Sequence, residues 1–211
     1  MNSKKNAAKI RFTERQQLKK ELTLAEMKKN KLRLISRIFT TVGIIIVAVL
    51  VSYGLLNSRS TESTLAIEAP AFTLQTTSGS TVSLSDYLGE SVILYFNEGA
   101  GCGSCTQQML AIENDPSFAK AGIIVLPIVM NTKAQIQPDL KSFGVKTPYL
   151  LDDGTVSKAY GVLGKGMHAG LPGHGFVLID SFGIERWQAD YPSMWLDPTI
   201  LFETAQNNLG K

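Results

Sequence analysis

The sequence predicts an α/β layer structure with a mixed central sheet, carried behind a single membrane-spanning helix. Three observations predict it. Residues 38–56 form an uncharged apolar run, IFTTVGIIIVAVLVSYGLL. From Pro70 onward, strand-like apolar patterns alternate with helical ones, the signature of layered α/β structure. The chain then ends in two strand patterns joined by a tight turn and followed by a helix.

Charge divides the 211 residues unevenly. Residues 1–37 carry twelve Lys/Arg against three Asp/Glu, leaving nine against fifteen for the remainder, so the overall net charge of +3 conceals a basic arm and an acidic body. The folded part is therefore not expected to bind nucleic acid. Residues 1–12 are polar, and a helix is expected from Thr13, with Leu18, Leu22, Ala25, Leu32 and Ile35 near one face between many Lys and Arg. Such a basic amphipathic segment suits the surface of an anionic lipid bilayer.

The run at 38–56 has nineteen residues and at ~1.5 Å per residue spans roughly 28 Å, close to a hydrocarbon core. It is longer than a signal-peptide apolar region, its polar leader is long, and no A-x-A cleavage pattern follows. Twelve basic residues precede it and only Arg59 follows closely. The positive-inside rule then places the N-terminus in the cytoplasm and the C-terminal domain outside, a single-pass cell-membrane arrangement. Disulfides form and persist in that compartment. Residues 57–69, NSRSTESTLAIEA, read as a Ser/Thr-rich linker, and the folded domain as residues 70–211.

Within that domain, Phe72–Gln75 and Thr81–Leu84 flank the turn Ser78-Gly79-Ser80 as a short hairpin, and one helical turn follows at Ser85–Gly89. Ser91–Asn97 is apolar at five successive positions, which marks a strand buried on both faces. A helix is expected over Gly103–Asn114, halted by Asp115-Pro116. Ile123–Met130 reads as a strand with an irregularity at Pro127, which has no N–H to donate. Lys133–Phe143 reads as a helix kinked or started late at Pro138, Thr147–Leu151 as a strand and Val156–Tyr160 as a short helix. Gly164–Gly175, which holds both histidines and Pro172, is a loop. Gly175–Ile179 and Ile184–Gln188 form the late hairpin, and Leu196–Asn208 the closing helix. Trp187, Tyr191 and Trp195 are expected to pack against that helix, and Asp152-Asp153 to serve as turn residues.

The chemistry concentrates in Tyr95–Thr106, YFNEGAGCGSCT, which holds the only two cysteines, Cys102 and Cys105. Disulfide exchange needs an exposed thiolate to attack and a nearby second thiol to resolve the mixed disulfide. A C-x-x-C at a helix N-terminus meets both needs, because unpaired N–H groups and the macrodipole favour the thiolate of the first cysteine. The same motif is also half of a zinc site, but no second half is present in this chain, and the strand-before, helix-after placement favours redox chemistry. Metal binding and a purely structural crosslink stand as the alternatives. No dissociable cofactor is required for exchange.

Three segments, APAFTL, VILYFNEGAGCGSC and GFVLIDSFGIERW, resemble the thioredoxin-like redoxin superfamily. Within it they resemble in particular membrane-anchored TlpA/ResA-type thiol-disulfide oxidoreductases and the neighbouring AhpC/TSA peroxiredoxin-like proteins. The resemblance covers Pro70 to about Phe202. It implies a central sheet flanked by helices, Cys102 as attacking and Cys105 as resolving thiol, and protein or small-molecule thiols and disulfides as partners. The membrane electron donor or acceptor that would regenerate the dithiol is unknown from the sequence. The family commonly has Trp before the first cysteine and often Pro before the second; this chain has Gly101 and Ser104. The family's cis-proline slot falls on Gly173, which makes Pro172 the candidate. Peroxiredoxins carry Pro seven and Thr or Ser three residues before the peroxidatic cysteine, and counted from Cys102 those positions are Tyr95 and Gly99.

Glu98 is a candidate proton acceptor for Cys105. His168 and His174 are candidates to stabilise the thiolate or, with Cys102 and Cys105, to complete a soft metal set. The alternatives to disulfide exchange are thus a peroxiredoxin-like peroxidase and a copper-binding chaperone similar to the Sco family, whose spacing is C-x-x-x-C.

Overall fold

The computed structural model describes residues 27, 31, 37–53, 61–166 and 168–210. The chain divides into two units, residues 1–56 and 57–211. In the first, residues 37–53 form helix α1, exposed along its whole length. Of the expected basic helix only Met27 and Lys31 are described, both helical. Among the described residues no helix is long and apolar enough to cross a membrane. Residues 54–56 of the expected span over 38–56 lie outside the described residues.

The second unit is built on strand β4 (Ser91–Phe96). Its side chains alternate between two cores. Ile93 and Tyr95 join one face of the sheet with Met109, Ile136, Trp187 and Leu201. Val92, Leu94 and Phe96 join the other with Ile128, Tyr160 and Val177. Two-sided burial explains why the strand reads as unbroken hydrophobicity.

Around it run β1 (Thr61–Glu68), β2 (Thr73–Thr76), β3 (Thr81–Ser83), β5 (Ile123–Val129), β6 (Leu150–Leu151), β7 (Gly175–Ile179) and β8 (Ile184–Asp190). The eight strands lie in the order β1-β8-β7-β4-β5-β6-β2-β3. β4, β5 and β6 are parallel, while β7, β8 and the outer strands are antiparallel, giving the expected mixed sheet. The helices are α2 (Gly103–Glu113), α3 (Pro116–Lys120), α4 (Lys133–Phe143), α5 (Thr155–Ala159) and α6 (Pro198–Leu209), with a 3-10 turn at Leu84–Tyr87.

Three expectations are corrected, over residues 61–68, at Pro127 and at Pro138, and the stop at Asp115-Pro116 has a second role. Residues 61–68 are not a tether but strand β1, antiparallel to β8 with Thr64 opposite Trp187 and Ile67 opposite Glu185. Its Thr and Ile residues have strand propensity, yet β1 is an exposed, polar sheet edge, so it shows none of the burial pattern that marks a strand in sequence. Pro127 causes no bulge and sits in register opposite Tyr95. Val129 O accepts from Asp152 N on the β6 side. By strand alternation Pro127 faces that same side, beyond the start of the two-residue β6, where no ladder donor is needed. Asp115-Pro116 ends α2 but opens α3: the Asp115 side chain caps Ser117 N at 2.9 Å, and Pro116 takes the first helical position. α4 likewise starts at Lys133 and runs through Pro138, its entry fixed by a Thr132/Gln135 capping box.

Candidate active site

The turn from β4 into α2 is held from outside the turn. Gly99 and Gly101 adopt φ of 77° and 89°, which glycine tolerates without strain. Ala100 N donates to Asn131 Oδ1 at 2.8 Å and Gly101 N to Asp139 Oδ2 at 2.8 Å. A Cβ on Gly99 would overlap the Asn131 amide. The turn therefore delivers Cys102 to the N-cap of α2, where its sulfur accepts from Cys105 N at 3.3 Å.

Cys102 and Cys105 are joined in a disulfide with Cα atoms 5.3 Å apart. Cys105 is fully buried, whereas Cys102 is partly exposed. Cys102 borders a cleft of about 500 Å³ whose walls include Glu98, Ala100, Ser104, His168, Leu171 and Met194. Once reduced, only the first sulfur is open to a substrate, and the helix N-terminus stabilises its anion.

Glu98 is buried at 5% exposure, and its Oε2 lies 2.8 Å from Nδ1 of His168. His168 N donates to Glu98 Oε1 at 3.3 Å. The chain at Gly166 passes so close that a Cβ there would overlap Glu98 Oε1. The glycine-rich loop thus lies on the carboxylate, and Glu98, His168 and Cys102 line one cleft.

Behind Cys105, Tyr95 Oη donates to Cys105 O at 3.1 Å, with Nδ1 of His174 also 3.1 Å away. With the hydroxyl proton on the carbonyl, Nδ1–H of His174 is the donor to Tyr95 Oη. His174 is enclosed by Tyr95 and Phe176, their ring centroids at 5.0 and 5.6 Å. Burial pushes its pKa down to about 4 and the Tyr95 hydroxyl well above its ordinary value.

Two site expectations change. Pro172 is not a cis-proline: no described peptide bond is cis. It forms a bridge with Leu163 and is buried, and the neighbouring Leu171 faces the cleft instead. The loop folds back on itself, with Gly164 N donating to Leu171 O at 2.9 Å, which fixes that alternation. The set Cys102, Cys105, His168 and His174 is not assembled either. His174 is engaged by Tyr95 beneath the helix and His168 by Glu98 in the cleft. Among the described residues, no group of three or more His, Cys, Asp or Glu is placed to hold a metal.

Trp187 is buried in the core as expected, but Trp195 is 40% exposed. Asp152 caps α5, accepting from Val156 N at 3.0 Å and Ser157 N at 2.8 Å, and Asp153 accepts from Thr155 N at 3.0 Å, so both act as turn residues. Tyr95, Asn131, Asp139 and Met194 were not singled out for the site from sequence. Their roles depend on contacts between distant segments and leave no local pattern.

The model of the AhpC/TSA family matches residues 66–188, from β1 through β8 and across the whole redox turn. The chain belongs to the AhpC/TSA family. A Mycobacterium tuberculosis protein provisionally named a peroxiredoxin is 34% identical over 110 residues, covering 51% of this chain and 70% of its own. The chloroplastic peroxiredoxin Q of Triticum aestivum is 32% identical over 120 residues, covering 56% of this chain and 55% of its own. The crystal structure of peroxidoxin BcpB from Mycobacterium tuberculosis superposes with a TM-score of 0.56 at 19% identity, covering 70% of this chain and 96% of that one. This AhpC/TSA chain therefore has a thioredoxin-like fold, and it is a thiol-based redox enzyme. Counted from Cys105 rather than Cys102, the peroxiredoxin Pro and Thr positions fall on Glu98 and Cys102. Neither frame supplies the Pro/Thr pair.

Proposed function

We propose that this AhpC/TSA domain exchanges disulfides with protein or small-molecule thiols through the Cys102–Cys105 couple. The observation that carries the reading is the unequal exposure of the two linked cysteines at a helix N-terminus. In the reducing direction the Cys102 thiolate attacks one sulfur of a substrate disulfide. The substrate S–S bond breaks, a mixed disulfide forms, and one substrate thiolate leaves. Cys105 then gives up its proton, with Glu98 as the acceptor, and attacks Cys102 Sγ. The Cys102–Cys105 bond closes, the second substrate thiolate departs, and two electrons have passed to the substrate. Oxidation of a substrate dithiol is the reverse.

Equilibrating the full chain with glutathione redox buffers tests this reading. A reversible two-electron couple is expected, near ~−270 mV for a reductant or ~−120 mV for an oxidant. Stoichiometric Cu(I) uptake that depends on His168 or His174, without any disulfide exchange, would overturn it in favour of copper handling.

Peroxide reduction is the second reading, favoured by relatives that carry peroxiredoxin names. Hydrogen peroxide would oxidise a cysteine thiolate to the sulfenic acid and release water, and the other cysteine would condense with it to the disulfide. Oxidation of the reduced chain by hydrogen peroxide faster than by any disulfide would establish this instead.

The domain is further proposed to face the outside of a cytoplasmic membrane, tethered by residues 38–56. The uncharged run and the imbalance of twelve basic residues before it against Arg59 after it support this. A membrane-impermeant maleimide should label Cys102 in intact, pre-reduced cells. Labelling only after lysis would place the domain on the other side.

A further inference from the structure

The cleft at Cys102 has a chemical character of its own. Its apolar lining is Leu171, Met194, which is largely buried with only its edge toward the cleft, and Ala100. The ionisable residues among the described walls are Glu98 and His168, which bond to each other, and no Lys or Arg is among them. Among the described walls an anionic thiol such as glutathione finds no Lys or Arg to receive its carboxylates. At about 500 Å³ the cleft is also far larger than a peroxide needs and takes a group the size of several side chains.

Met194 is singled out by its backbone. Its φ of 57° makes it the one described non-glycine residue in the left-handed region, a conformation costly for a side-chain-bearing residue and concentrated where a structure must aim that side chain. The segment that holds it is fastened at both ends. Tyr191 N donates to His174 O at 2.7 Å and Met194 N to Tyr191 O at 2.9 Å. Leu196 N donates at 2.8 Å to Oε1 of Gln108, a buried residue of the redox helix α2. The thioether is thereby held in register with the helix that carries both cysteines, and Trp195 stands partly exposed next to it. The unbranched, polarisable methionine accommodates apolar groups of varied shape.

We propose that this cleft selects polypeptide cysteines flanked by an uncharged, apolar residue, and that Met194 sets the selection. The inference rests on the disulfide-exchange reading and names the substrate class of that site. The occupant is an extended peptide segment whose cysteine sulfur meets Cys102 while the neighbouring apolar side chain lies against Met194 and Leu171. This wall takes the place of the aromatic residue absent at Gly101.

The test uses the reduced full chain and neutral heptapeptides whose cysteine is capped as a mercaptoethanol disulfide, with Leu or Glu beside it. The Leu peptide is expected to oxidise the protein with a kcat/KM about tenfold higher, the difference lying in KM. Met194→Asn keeps the left-handed backbone accessible while removing the apolar surface, and it should reduce the preference to about twofold or less. Phe182→Ser alters an exposed residue in the β7–β8 turn and should leave the preference intact. Equal rates for the two peptides, or a preference that survives Met194→Asn, would sink the proposal. A protein oxidised by neither peptide nor by hydroxyethyl disulfide would instead overturn the exchange reading, and this one with it.

Discussion

Cys102→Ser is expected to abolish exchange, lowering the rate by about 10³-fold or more, because the other cysteine, Cys105, is fully buried. Cys105→Ser is expected to behave differently. It retains the attacking sulfur but lacks the one that releases the product, so the protein should accumulate as a mixed disulfide with its substrate, visible as an added mass that dithiothreitol removes. The asymmetry comes from a single turn of helix, with Cys102 at the partly exposed cap and Cys105 wholly buried beside it. Mass spectrometry of both variants after incubation with a peptide disulfide checks it. If the Cys102→Ser variant accumulates the adduct instead, the roles are exchanged, and the frame counted from Cys105 is the operative one.

The second large effect concerns pH. His174 has a pKa of about 4 in the folded chain, against an ordinary 6.5, because burial disfavours its charged form. Between those values the unfolded chain binds a proton that the folded one does not, so stability falls as pH falls. His174 contributes fully above about pH 6.5, and the loss amounts to about 3 kcal/mol by pH 4. Buried Glu185 and Asp190 act in the opposite sense, since desolvation raises both pKa values and their contribution is lost as pH rises. Denaturant unfolding of the wild type and His174→Gln across pH 4 to 7 separates these effects, because the carboxylates are common to both proteins. The stability difference between them should shrink by about 3 kcal/mol toward pH 4; a difference that does not vary with pH would disprove the assignment.

What the sequence made legible was local. The two-sided strand β4, the dithiol at the start of α2 and the β7–β8 hairpin each announce themselves through contiguous residues: an apolar run, a C-x-x-C, and Asp180-Ser181-Phe182-Gly183 between two strand patterns. Glu98 and His168 were placed in the site because each lies near it in the chain or in the loop expected to cover it. What stayed hidden depends on partners far along the chain. β1 is a strand because β8 is beside it. Pro127 is harmless because β6 is short. His174 turns inward because Tyr95 offers a buried hydroxyl. Pro172 was placed by analogy of spacing, and the fold-back of its loop brought Leu171 to the cleft in its stead.

The Cys102–Cys105 bond closes a loop of only three residues' separation, and in the chain-entropy picture so small a ring contributes about 2 kcal/mol, well below what longer crosslinks supply. The strength of the domain resides elsewhere, in the two faces of β4 and the helices laid over them. On the disulfide-exchange reading, the one covalent link that each cycle makes and breaks is therefore one that the architecture barely leans on. Opening it is therefore expected to leave the cleft, the carboxylate and the methionine wall in place, so that a partner meets nearly the same surface before and after two electrons pass.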